Sequence, residues 1–358
     1  MFKVFTDVRN ETDLLPYLCR SVFGDDYVMI DVVEPDCIAI LIQADMSFTE
    51  GNFDQKLQKI YDYSKLCRFV FVLESEHNYY LERSIKRTVA LGLVNVYYCM
   101  PGRNHRDNNT LFYGWHTEMT RLNYRDHLME DLDGYDPYAT KPKSFDALLG
   151  TKKWHRDTIY NWVISNNLVD QIYTTYQGAD HPSFTVGSGI DFIEPATSAG
   201  THSSSETVRY KEREFRLSQI LPMDVYRQTA YSIVAETLYD PGVIFLTEKI
   251  AKPIIARKLF VVFSSAYYLE NLRHLGFYTF GDVVDEWYDR VEDPVERWNL
   301  ALEEVRRLMT LDQQEVYAKI QASCEHNYKF LMLKEPYEPL VIGMRDILNI
   351  NDRSVLVA

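Results

Sequence analysis

Tyr231-Ser232-Ile233-Val234-Ala235-Glu236-Thr237 is an apolar, β-branched run of strand length that closes on an acid. A second such run, Leu259-Phe260-Val261-Val262-Phe263-Ser264-Ser265, closes on small residues. Between them, Leu246-Thr247-Glu248-Lys249-Ile250-Ala251-Lys252-Pro253 opens a helical stretch that the spacing extends from Thr247 to Lys258. Strand, helix and strand in that order form a parallel crossover unit. Pro253 gives two options for the helix: it starts at Glu248 and loses one backbone bond, or it begins near Pro253 itself.

The same alternation continues in both directions. Upstream, Phe145 to Leu149 reads as a strand, Trp154 to Asn166 as a helix and Ile172 to Tyr176 as a strand. A loop-rich stretch, Gln177 to Thr207, separates them from Tyr231 and is long enough to suggest a substrate-touching loop. Downstream, Tyr267 to Leu275 is helical with Gly276 as its C-cap, and the helices Val295 to Met309, Gln313 to Leu333 and one after Pro339 complete the chain. The N-terminal part repeats the pattern: strands at Lys3 to Thr6, Ile38 to Gln43, Arg68 to Leu73 and Val94 to Cys99, and helices at Asp54 to Lys65 and Tyr80 to Leu91. Pro101 to Ser144 is polar, aromatic and turn-rich, an interdomain connection with some helix around Trp115 to Asp131. The expected fold class is therefore α/β, with two facing Rossmann-like domains, 1–143 and 144–335, and a helical tail, 336–358, packing back on the first. In such sheets ligands bind beyond the carboxyl ends of the strands.

The chain has 358 residues, 46% of them hydrophobic and 25% charged, which suits two ordinary cores and excludes a disordered polymer. No apolar run approaches the ~20 residues of a membrane span, and the first residues lack the pattern of a secretory signal, so a cytoplasmic protein that starts here is expected. Five scattered cysteines without a CxxC pair read as reduced core thiols. A net charge of −14 disfavours gripping a polyanion over the whole surface, while leaving room for a local basic groove.

Thr247 is suited to cap a helix whose free N–H groups favour phosphate, Lys249 adds a compact positive charge, and Glu248 can accept hydrogen bonds from ribose hydroxyls. Lys152-Lys153-Trp154-His155-Arg156 is a second basic cluster at a helix entrance. Gly187-Ser188-Gly189 lacks the Gly-Lys-Ser/Thr ending of a phosphate loop, and neither a His-Glu-x-x-His helix nor a Gly-x-Ser-x-Gly elbow occurs. Asp131 and Asp133, the one acid pair with metal-holding spacing, fall in polar sequence that reads as a solvated loop, and no metal is expected.

Glu236-Thr237, Phe245-Leu246-Thr247-Glu248-Lys249 and Ala256-Arg257-Lys258-Leu259-Phe260-Val261-Val262 together resemble the donor-binding motif of α-1,3-fucosyltransferases, in which a Phe-Glu-Asn-Ser segment precedes a Thr-Glu-Lys helix. Tyr268 to Phe277 and Thr279 to Glu286 are similar to fucosyltransferase-like proteins of tailed bacteriophages. Gly150 to Arg156, followed by Leu168 to Tyr173, resembles the start of the same domain. The resemblance covers about the C-terminal half of the chain. It implies the two-domain GT-B architecture and a metal-independent, inverting hexosyl- or deoxyhexosyltransferase that uses a nucleotide-diphosphate sugar as donor and no other cofactor. Carried over, Arg156 and Lys249 neutralise the diphosphate with Lys153 beside them, Glu248 holds the ribose, and Glu236, Thr237 and Thr247 complete the donor site. Thr237 stands where the family has asparagine, which leaves sugar and base open. The implied acceptor is a glycan hydroxyl or a hydroxymethylated pyrimidine in phage DNA, flipped out of its stack.

The base that deprotonates the acceptor is expected from the N-terminal half, at an acid just after a strand: Glu74 first, then Asp7, with Asp45 and Glu76 as further candidates. The rival reading is a non-catalytic module that binds a nucleotide sugar through a degenerate donor domain.

Overall fold

Apolar runs of five or so residues dominate the first hundred positions, and in the computed structural model they lie side by side. The structure describes residues 1–7, 14–42, 49–74, 79–102, 109–179, 189–193, 206–239, 244–333 and 337–350. The first elements are β1 (Phe2–Thr6), α1 (Leu14–Phe23), β2 (Tyr27–Ile30), β3 (Ile38–Ile42), α2 (Phe53–Leu66), β4 (Phe69–Leu73), α3 (Tyr79–Ala90), β5 (Val96–Met100) and β6 (Thr110–Phe112). The six strands form one parallel sheet in the order β2-β1-β3-β4-β5-β6. Val70, Val72, Val96 and Tyr98 are buried together with Leu81 and Ile85 of α3 and Ile60 of α2, as a sheet covered by helices requires. β1 leads to β2 on one side and β3 leads to β4 on the other, so the winding reverses between β1 and β3.

The middle of the chain continues with α4 (Trp115–Asn123), a π-type turn over Tyr124–Leu128, β7 (Lys143–Leu149), α5 (Trp154–Ser165), β8 (Ile172–Tyr176), β9 (Ile190–Phe192), β10 (Thr207–Tyr210), β11 (Arg213–Arg216), α6 (Met223–Tyr226), β12 (Thr229–Ala235), α7 (Glu248–Ile255), β13 (Phe260–Phe263), α8 (Tyr268–His274), α9 (Pro294–Leu308), α10 (Gln313–Leu333) and α11 (Glu338–Leu348). A second parallel sheet has the order β13-β12-β7-β8, and its winding reverses between β7 and β12. β9, β10 and β11 make a separate antiparallel sheet; of these β9 falls inside the stretch expected as loop, Gln177 to Thr207, of which 180–188 and 194–205 lie outside the described residues. Every residue of β12 is buried. Under it, Asp146 Oδ2 accepts hydrogen bonds from Lys258 Nζ at 2.7 Å and from Ser232 and Thr229 hydroxyls at 3.0 Å, so this buried charge pair carries further hydrogen bonds.

The chain divides into two compact units, residues 1–116 with 335–358, and residues 117–334. Residues 117–143, expected with the first domain, belong to the second unit. Tyr124 takes the Leu221 amide at 2.7 Å, Asn123 bonds Gln219, and Lys141 exchanges two backbone bonds with the Gln313 side chain. In the first unit α11 packs on α1 and β6. All five cysteines are buried thiols, and no helix among the described residues is long and apolar enough to cross a membrane.

Candidate functional site at the second reversal point

Where a doubly wound sheet reverses, two neighbouring strands send their following segments apart and leave a crevice between them. In the second unit those strands are β7 and β12. After Leu149 the chain turns through Gly150 and Thr151 into α5, and a Cβ on Gly150 would stand 3.3 Å from Arg156 Nη1, so the absence of a side chain lets the guanidinium lie against the turn. Three side chains from the start of α5 then reach the end of β12. Lys153 Nζ donates to Thr237 O at 2.6 Å, His155 Nε2 lies 2.8 Å from Glu236 O, and Arg156 donates to Thr151 O at 2.9 Å and Glu236 O at 3.3 Å.

Glu236 is fully buried and its carboxylate is saturated. Oε1 accepts from Tyr268 Oη at 2.7 Å and Thr247 N at 3.2 Å; Oε2 accepts from Thr247 Oγ1 at 2.6 Å and Thr237 N at 3.2 Å. Four donors occupy the lone-pair sites of one carboxylate. Its role is to fix Thr247, which caps α7 by accepting from Lys249 N at 3.2 Å. Of the two options set by Pro253, the structure takes the first: α7 starts at Glu248 and carries Pro253 inside it.

Lys249 and Glu248 pair with each other, Nζ to Oε1 at 2.6 Å, and Lys249 Nζ also donates to Thr237 Oγ1 at 3.1 Å. The starts of α5 and α7, with Lys153, Arg156 and Lys249, thus converge on Glu236-Thr237. Burial pulls the Arg156 guanidinium down from its ordinary value, while Glu236 and Glu248 hold it up. Burial, reinforced by Arg156, pushes His155 down to about 3, so its neutral ring donates Nε2–H to the Glu236 carbonyl.

Beside this convergence lies a pocket whose empty space, open solvent included, comes to about 950 Å³. Gly150, Ala235, Glu248 and Lys249 line it, and so does Lys252, which the sequence reading passed over. Burial lowers the Lys252 amine to about 8, with Glu248 acting against that shift. The signal was present in the sequence: Lys252 stands three residues after Lys249, on the same helical face.

The N-terminal candidates gather in the first unit around α2. Asp7, directly after β1, holds Lys59 Nζ at 2.8 Å. Glu74, directly after β4, is fully buried and donates its amide to Cys99 O at 2.8 Å. Burial lowers Lys56, one turn before Lys59, while Glu74 and Asp7 hold it up, so both carboxylates act on one lysine. Asp45 and Glu76 lie outside the described residues. Asp131 is not in a solvated loop: it is buried, accepts from Tyr124 and Tyr210 hydroxyls at 3.2 and 2.9 Å, and pairs with Lys211 at 2.6 Å. Those bonds tie the connection to the second unit and account for the buried acid.

No family model matches the chain, and no curated protein matches it.

Proposed function

We propose that the protein is a glycosyltransferase of GT-B architecture that binds a nucleotide-diphosphate sugar at the β7/β12 reversal and passes the sugar to an acceptor hydroxyl in the cytoplasm. The observation that carries this reading is the convergence of Arg156, Lys153, Lys249 and two helix N-termini on one strand end beside a pocket. Helix N-termini and fixed cations favour a diphosphate, and they favour it more as the leaving group gains charge.

On donor binding the Lys249–Glu248 pair opens: Lys249 turns to phosphate and Glu248 accepts from the ribose hydroxyls. Thr247 and Glu236 hold the helix start in place, and Thr237 supplies the strand end on which Lys153 and Lys249 rest. In the transfer, the acceptor oxygen bonds to the anomeric carbon as its bond to the phosphate oxygen breaks. The electron pair leaves with the diphosphate, the acceptor proton passes to a carboxylate base, for which Glu74 and Asp7 are the candidates, and configuration inverts. The acceptor is a glycan or a hydroxymethylated pyrimidine; steep loss of duplex binding with salt selects the latter.

Lys249→Ala is expected to lower turnover about 10²-fold, the usual cost of one transition-state contact. Near-normal turnover removes Lys249 from the mechanism. A thermal-shift panel of nucleotide sugars identifies the donor, since a ligand at about 100 times its Kd adds ~2.7 kcal/mol. Stabilisation without any release of nucleotide diphosphate would leave a sugar-nucleotide binding module instead of an enzyme.

A further inference from the structure

Lys153, Arg156 and Lys249 each already have a protein acceptor. Lys153 sits on Thr237 O, Arg156 on the carbonyls of Thr151 and Glu236, and Lys249 on Glu248. Lys252 differs: its amine makes no hydrogen bond or ion pair to any described residue, yet it lines the pocket. The pocket is lined by aliphatic residues such as Leu148, Ile220, Leu221 and Val234 and also by Glu248, the one carboxylate that acts on the Lys252 amine. A half-buried cation that Glu248 reaches only through space, with no bond to it, is costly until a second anion joins it. The amine's descent to about 8 measures the same cost, and an arriving anion would reverse it.

Residues three apart on a helix lie about 5–6 Å from each other at Cβ, so Lys249 and Lys252 present two positive charges along one face of α7. Two linked phosphates give each lysine an anionic group of its own, whereas a single phosphate has to share its oxygens between the two. We propose that Lys252 is a direct contact for the diphosphate of the ligand, which lies along the first turn of α7 with one phosphate toward Lys249 and the other toward Lys252. The inference rests on the reading of this pocket as a nucleotide-diphosphate site and adds to it a pocket-lining cation that no described residue engages.

Calorimetric titration of the full chain with inorganic pyrophosphate and with orthophosphate tests it. Wild type is expected to bind pyrophosphate, and Lys252→Met to weaken that binding about tenfold or more, the worth of one charge-assisted contact. Orthophosphate, which Lys249 can hold by itself, should lose less affinity than pyrophosphate in the same variant; an equal loss for both ligands overturns the two-phosphate placement. Lys252→Arg should recover most of the pyrophosphate affinity, and Lys252→Gln provides a second neutral variant should the methionine variant fail to fold. Pyrophosphate bound equally by wild type and by a folded neutral variant overturns the role of Lys252 and leaves the functional reading standing. If wild type binds neither pyrophosphate nor UDP nor GDP, the diphosphate site and this inference fall together.

Discussion

In the first unit the winding reverses between β1 and β3, and the strand end there presents an acid, Asp7, held by Lys59. In the second it reverses between β7 and β12, and the strand ends gather Lys153, Arg156 and Lys249. Both units also bury a glutamate completely just beyond a strand, Glu74 after β4 and Glu236 after β12. The backbone solution is therefore shared, and the side chains set opposite electrostatics on it. Glu236 spends its four lone-pair sites on protein donors and acts as a structural clamp. Glu74 instead acts electrostatically on Lys56, a lysine that Asp7 also reaches.

One substitution made at both glutamates separates these roles. Glu74→Gln is expected to lower turnover about 10²- to 10⁴-fold, the span of general-base contributions, with donor affinity unchanged in thermal-shift titration. Wild-type turnover would show that Glu74 serves only the lysine beside it and would move the search to Asp7→Asn. Glu236→Gln turns one acceptor into a donor against the Thr247 hydroxyl and neighbouring amides, so it should cost about 2–3 kcal/mol in urea denaturation. A variant as stable as wild type would mean that the four bonds do not clamp the helix start.

The smallest effect concerns pH. His155 has a folded pKa of about 3 against an ordinary 6.5, so between those values the unfolded chain binds more protons and stability rises with pH. The contribution is complete above about 6.5, and roughly 1–2 kcal/mol of it disappears on going down to pH 5. Asp289, pushed up to about 6 by burial, works in the opposite sense below pH 6, so the comparison must be made against His155→Phe. If wild type and that variant lose stability in parallel, the buried neutral imidazole is not the cause.

The central strands were legible because strands covered on both faces read as unbroken apolar runs; Val234 and Val261 have no polar alternation around them. Thr247 offered one of two starts for α7 through its capping chemistry, and the structure takes that one. Short, exposed strands were not legible: β2, at a sheet edge, is half-exposed, and β10, the middle strand of its small sheet, alternates exposed and buried residues across only four positions. Lys252 escaped because Pro253, next to it, left the helix start undecided. The saturation of Glu236 escaped for another reason, since its partner Tyr268 is 32 residues away and only the fold brings the two together.

Helix α11 rests on α1 and β6, and Arg345 donates to Ser21 O at 3.3 Å, so the polypeptide leaves the first unit after residue 116 and returns to it at residue 335. During synthesis the first unit's sheet emerges early but waits for residues 338–348 before its outer layer is finished. The intervening unit, all of whose elements are contiguous, is available to fold before that happens. Vectorial translation thus completes the inserted unit's sequence before that of the unit around it.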